Sequence, residues 1–157
     1  MINNPKAKEF WMKYLESIGE DLNTTNKTAI AWYFCDNQES AVKLAELVKA
    51  GTKKATASLY YWYNLAKEPL PKEGEYSVIT DYTGEPQCII KTTKITIVPF
   101  KEVTEDFARA EGEGDKSLEQ WKEIHVRYFS KELKEIGKEF SKDMEVLCEE
   151  FELIYKE

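Results

Sequence analysis

The run "EYSVITDYTGEPQCIIKTTKITIVPF", from Glu75 to Phe100, constrains the fold more than any other stretch of the chain. β-branched and apolar residues crowd both of its halves, and "YTGEP" between them carries the glycine and proline of a turn. Such a run reads as a hairpin whose second strand is long. A sheet therefore stands at the centre of the expected fold.

The flanking sequence surrounds that hairpin with further short elements. Asn4-Pro5 makes an N-cap and first-turn pair, and Phe10, Trp11, Tyr14, Leu15 and Ile18 follow at helical spacing up to Gly19. "TAIAWYFC", Thr28 to Cys35, is short, apolar and bounded by polar residues, which predicts a buried strand. Asp36 or Asn37 caps the next helix, whose inward face is Ala41, Leu44, Ala45 and Val48, with Gly51 as its C-terminal cap. "KATAS" reads as a short strand or extended segment, and Ser58 as the cap of a short helix from Leu59 to Ala66. Thr104 opens a helix through Ala110, and Ser117 with Gln120 fits a capping box for a longer one to about Leu133. Alternation at Phe151, Leu153 and Tyr155 predicts a terminal strand. Strands and helices do not follow a βαβ series. The pattern is α+β with a small antiparallel sheet or barrel.

Composition excludes several classes of function. The chain has 157 residues, 42% of them apolar, enough for one domain with a real core. No apolar run reaches the roughly 20 residues of a membrane helix, and the N-terminus lacks a signal-peptide pattern. Cys35, Cys88 and Cys148 are odd in number and far apart, as expected of reduced thiols in a cytoplasmic protein. With His125 as the only histidine, they argue against a zinc site, and no metal or other cofactor is expected. A net charge of -7 argues against binding long duplex DNA, while leaving room for a small basic pocket. Nothing in the sequence fixes an oligomeric state.

Two stretches of opposite charge carry the candidate chemistry. "GTKKATAS", Gly51 to Ser58, places Lys53 and Lys54 beside Thr56 and Ser58. In an extended segment Lys54, Thr56 and Ser58 point one way and Lys53 and Ala55 the other, unless Lys53 curls back from the preceding turn. A lysine beside a hydroxyl serves as a proton acceptor or an electrostatic clamp; a solvated loop before an edge strand has the same residues. "AEGEGD", Ala110 to Asp115, sets Glu111, Glu113 and Asp115 between glycines that permit close approach. It also fits a polar loop whose Asp115 favours the start of the next helix. Trp121 and His125 share a stripe with Leu118, Tyr128 and Phe129, the pattern of a core face or of a hydrogen-bonding pocket wall. Tyr60 and Tyr61 are expected on the open side of their helix, with Leu59, Trp62 and Tyr63 inward. Exposed tyrosines beside lysines suit stacking on bases.

Three segments in order, "AWYFCDNQESAVKLAELVKAGTKKATAS", "GEPQCIIKTTKITIVPFKEVTEDFARAEGEGD" and "SLEQWKEIHVRYF", resemble the ASCH domain family, and within it a bacterial subgroup of stand-alone proteins. The resemblance implies a PUA-like fold, a small antiparallel β-barrel decorated with helices, over residues 28–157, with residues 1–27 as a helical extension packed on it. It also implies RNA or a modified nucleoside as partner. Some members resemble ribonucleases, and a smaller class removes the acetyl group of N4-acetylcytidine with a lysine, a threonine three residues on and a distal glutamate. Those positions fall on Lys53, Thr56 and Glu113. The resemblance thus suggests a hydrolase of an amide or phosphodiester bond, with Lys54, Ser58, Tyr61, Glu111, Asp115, Trp121 and His125 as substrate-binding residues. The alternative is an RNA- or nucleotide-binding module without catalysis. Two departures stand out: the small class has an arginine where this chain has Ser58, and the subgroup often has Phe-Gly-Asp where this chain has Phe34-Cys35-Asp36.

Overall fold

The computed structural model describes residues 2–157. Five strands, β1 (Ala29–Trp32), β2 (Ala55–Leu59), β3 (Tyr76–Thr80), β4 (Pro86–Pro99) and β5 (Glu145–Tyr155), are hydrogen-bonded in the order β1-β3-β4-β5-β2. Among the described residues, the sheet has two edges, β1 and β2, and does not close into the expected barrel. Nor is it wholly antiparallel. β1 runs parallel to β3, with Ala29 opposite Tyr76 and Trp32 opposite Ile79. The long segment between these strands makes this possible, since a parallel pair needs a crossover and cannot be joined by a tight turn.

The chain divides into two compact units. The first holds the chain up to Thr52, Lys72–Thr93 and Phe151–Glu157. Its hairpin, β3 with the start of β4, is covered by a helix on each face. Helix α1 (Pro5–Ser17) starts where Asn4 accepts hydrogen bonds from the Lys6 and Ala7 amides and Pro5 occupies the first turn. Its buried stripe, Ala7, Phe10, Trp11, Tyr14 and Leu15, packs with Tyr76, Val78 and Ile89. Helix α2 (Gln38–Lys49), capped by Asn37, turns the expected Ala41, Leu44, Ala45 and Val48 inward. Leu44, Ala45 and Val48 meet Ile79, Cys88 and Ile90. Residues of opposite parity thus serve opposite helices, so all five positions of β3 are buried rather than every second one.

The second unit holds Lys53–Pro71 and Lys94–Glu150. Here β2 is antiparallel to β5, and Thr56 lies opposite Glu149. Helix α3 (Tyr60–Ala66) follows β2 directly, then come α4 (Glu105–Glu111) after the end of β4, and α5 (Leu118–Lys134). Thr104 and Ser117 cap α4 and α5 as their spacing predicts. On α5, Trp121, His125, Phe129 and Leu133 are buried at every fourth position. Trp121, Phe129 and Leu133 share a core with Ala55, Leu59, Phe100, Phe107, Val146 and Cys148.

Two local expectations fail in this unit. Ser58 does not cap α3, because β2 runs on to Leu59, which is fully buried, and the serine hydroxyl meets the Tyr63 hydroxyl instead. Tyr60 and Tyr61 do not stand on an open side of α3; like Trp62 and Tyr63, both are half-buried. Tyr61 packs on the core with Trp62, and the Lys138 ammonium lies 4.8 Å from its ring centre.

Candidate active site

The exit of α4 lies beside the entry to β2. The Lys54 amide donates to the Ala110 carbonyl at 2.7 Å, joining the two backbones where their charged residues begin. Gly112 then ends α4 in the left-handed region, φ +69°, so the chain turns back immediately after Glu111. This turn sets Glu111 and Glu113 on either side of one lysine. The Lys53 ammonium stands 3.3 Å from Glu111 Oε2 and 3.2 Å from Glu113 Oε2. It also reaches the Glu111 main-chain carbonyl at 3.5 Å.

Lys53 and Glu111 are buried side chains, 1% and 2% exposed, whereas Glu113 remains 23% open. Burial disfavours the Lys53 ammonium, but the two carboxylates outweigh it and raise its pKa above the ordinary lysine value. Burial would likewise raise Glu111, yet Lys53, Glu113 and His125 hold its pKa well below the usual carboxylate range. Glu113 is pushed the other way, up to about 7, by burial and by the neighbouring Glu111. Two close carboxylates cannot both ionise freely, and the one that Lys53 and His125 serve together keeps the charge.

His125 completes the cluster from α5. Its ring lies flat on Trp121, 4.0 Å between centres and 18° between planes. Nδ1 is 2.8 Å from the Trp121 carbonyl, which can only accept, so Nδ1 carries a proton. Nε2 then faces Glu111 Oε1 at 3.4 Å. A neutral ring meets that oxygen lone pair to lone pair; an imidazolium meets it with a proton. Burial opposes the charged ring, but Glu111 and the Trp121 carbonyl outweigh it and raise the His125 pKa.

The other expected site residues have different surroundings. Thr56 and Ser58 occupy the face of β2 opposite that of Ala55, Ala57 and Leu59, and Thr56 shares its face with Glu149. Lys54 is exposed. Asp115 accepts the Ser117 amide at 2.8 Å and donates its own amide to Gln120, and so builds the start of α5. Trp121 is a core residue against Phe100 and Phe107. Glu111 is the hub of the cluster, in contact with both Lys53 and His125. The sequence carries a signal for it: Glu111 follows Phe107 and Ala108 on the buried stripe of α4, where a carboxylate is out of place. Glu149 is a further buried acid, 6% exposed, in phase with Phe151 on β5, where Val146 to Glu149 are all buried and no alternation marks it.

The comparisons with known proteins agree with this architecture. The family model described as "ASCH domain" matches residues 30–155. The chain belongs to the ASCH domain family. It is similar to the crystal structure of an ASCH domain from Lactobacillus crispatus JV V101, at 38% identity and a TM-score of 0.86, covering 96% of this chain and 94% of that one. A crystal structure from Enterococcus faecalis V583 matches at 36% identity and a TM-score of 0.82, covering 95% of this chain and 88% of that one. The ASCH domain neighbour supports a PUA-like fold for the chain, as a mixed α+β variant with an open sheet. No curated protein matches it. Among the described residues, no helix is long and apolar enough to cross a membrane.

Proposed function

We propose that the chain binds RNA or a modified nucleoside beside Lys53 and Glu113 and hydrolyses an amide or phosphodiester bond there. The family supports the substrate class. The observation that carries the chemistry is the Lys53–Glu113 contact at 3.2 Å, because it joins a fixed positive charge to a carboxylate that is still 23% open. In this reading Glu113 moves the proton, and the buried Lys53 ammonium holds its carboxylate in place. The attacking group is the Thr56 hydroxyl or a water. The position of Thr56 on the other face of β2 favours the water. Residues 1–27 serve as an extension to the domain that carries the site.

A turnover screen of N4-acetylcytidine and short single-stranded RNAs tests this, wild type against Glu113→Gln and Lys53→Ala. Loss of a proton-transferring group removes about 10²- to 10⁴-fold of rate. Equal turnover by wild type and Glu113→Gln would exclude the mechanism. The exposure of Lys54 favours a second reading, a binding module without catalysis. It is supported if wild type turns over nothing yet binds RNA, and Lys54→Ala binds more weakly.

A further inference from the structure

The contact between His125 and Glu111 is incomplete as it stands. Nδ1 is committed to the Trp121 carbonyl, so Nε2 offers the only remaining ring lone pair, and it faces Glu111 Oε1. That oxygen is fully buried and has no hydrogen-bond partner. An unsatisfied carboxylate oxygen in such a place costs stability unless a positive centre meets it. The Lys53 ammonium lies against Oε2 of both glutamates.

The geometry points to a binding site for one divalent transition-metal ion, of the zinc or manganese class, held by His125 Nε2, Glu111 Oε1 and a Glu113 carboxylate oxygen. One ligand atom from each residue lies within 4.8 Å of the other two. Two atoms that each bind an ion at about 2.1 Å with tetrahedral angles lie about 3.4 Å apart. The Nε2–Oε1 separation is 3.4 Å. A ligating histidine ordinarily donates its other N–H to a carbonyl or carboxylate, which fixes the ring, and Trp121 provides that carbonyl here. The stack on Trp121 holds the ring plane. Glu113 closes the remaining span by turning its carboxylate, since it is the open member of the set. One imidazole with two carboxylates suits zinc or manganese better than calcium, which takes oxygen ligands alone. Lys53 keeps the second oxygens in place and limits the net negative charge, so affinity is set by competition between ammonium and ion.

This site coincides with that of the proposed hydrolysis, but ion binding is measured without turnover, so either reading can fail alone. Protein stripped with EDTA is titrated with Mn²⁺ and, separately, Zn²⁺. The readouts are calorimetry, the Mn²⁺ electron paramagnetic resonance signal and tryptophan fluorescence. The expected result is one ion per chain, a fluorescence change from Trp121, and at least tenfold weaker binding in Glu113→Gln and in His125→Gln. Lys53→Met is expected to bind more tightly. Circular dichroism establishes that each variant is folded, and Glu113→Gln, at the open position, keeps the test available if His125→Gln unfolds. Absence of saturable binding in both wild type and Lys53→Met overturns the inference and leaves a proton alone between Nε2 and Oε1. Binding that neither Glu113→Gln nor His125→Gln weakens overturns it as well.

Discussion

The Lys53 ammonium lies 3.2 Å from the Glu113 carboxylate across sixty residues of sequence, and 3.3 Å from that of Glu111. The chain thereby buries one lysine with two carboxylates at the entry to β2. The positive group is nearly inaccessible to water, so its charge is balanced by protein groups.

Removing Lys53 alone therefore strands the Glu111 carboxylate beside a second acid. Lys53→Met is expected to cost about 3–5 kcal/mol, the usual penalty for breaking a buried pair. Adding Glu111→Gln to it is expected to recover a large part of that loss, because the stranded charge goes with it. Urea unfolding of wild type, the two single variants and the double variant measures the coupling. Single-variant losses that simply add would mean that the ammonium and the Glu111 carboxylate are not energetically coupled.

Asp81 gives a pH-dependent contribution in the first unit. Burial disfavours its charge, but hydrogen bonds from Gln38, Thr83 and the Glu85 amide outweigh it and hold its pKa at about 2, below an ordinary 3.8. A depressed folded pKa adds stability above the unfolded value, and that stability is lost as pH falls through the folded one. Asp81→Asn is expected to destabilise the protein at pH 7 by about 1–3 kcal/mol, from lost charge-assisted hydrogen bonds. The gap between variant and wild type should shrink as pH drops from about 4 to 2. Thermal unfolding at several pH values reads this out, and a gap constant across that window would count against it.

The thiols differ in reach. Cys88 and Cys148 are buried, and burial pushes both pKa values up to about 12. Cys35 is half-buried. A disulfide-exchange reagent at neutral pH is expected to titrate one thiol quickly in the native protein and three in denaturant. Two fast thiols in the native protein would place one of the buried cysteines outside its core.

Much of this was legible in the sequence, and the gaps share a physical cause. Periodicity identified the inward faces of α1 and α2, except that Ile18 falls past the end of α1 and is exposed, and capping residues marked the starts of α4 and α5. These signals are local. The parallel pairing of β1 with β3 and the open sheet depend on which strands meet, which no residue in β1 specifies by itself. The site divides in the same manner. The resemblance implies that Lys53, Thr56 and Glu113 come together; Lys53 and Glu113 are in contact, whereas Thr56 lies opposite Glu149 on β5. Composition alone does not separate Glu111 from Asp115, since both are acids of "AEGEGD"; only the place of Glu111 on the apolar stripe of α4 distinguishes it. The packing of α4 and α5 decides their roles: one acid is buried against Lys53 and the other folds back on the Ser117 amide.

Cys35 carries a backbone conformation that its side chain opposes. Its φ is +60°, in the left-handed region, where a residue with a Cβ costs roughly 1–2 kcal/mol relative to glycine. The position follows β1 and precedes Asn37, the cap of α2, so the chain must reverse there within a few residues. The subgroup's frequent Phe-Gly-Asp fits that requirement, and the cysteine of this chain satisfies it under strain. Cys35→Gly is expected to raise stability by about 1 kcal/mol, less whatever its side chain contributes to packing. It should also remove the single fast thiol while leaving the two slow ones. Chemical denaturation with thiol titration measures both effects on one sample. A destabilised Cys35→Gly would mean that the side chain's own contacts outweigh the backbone strain.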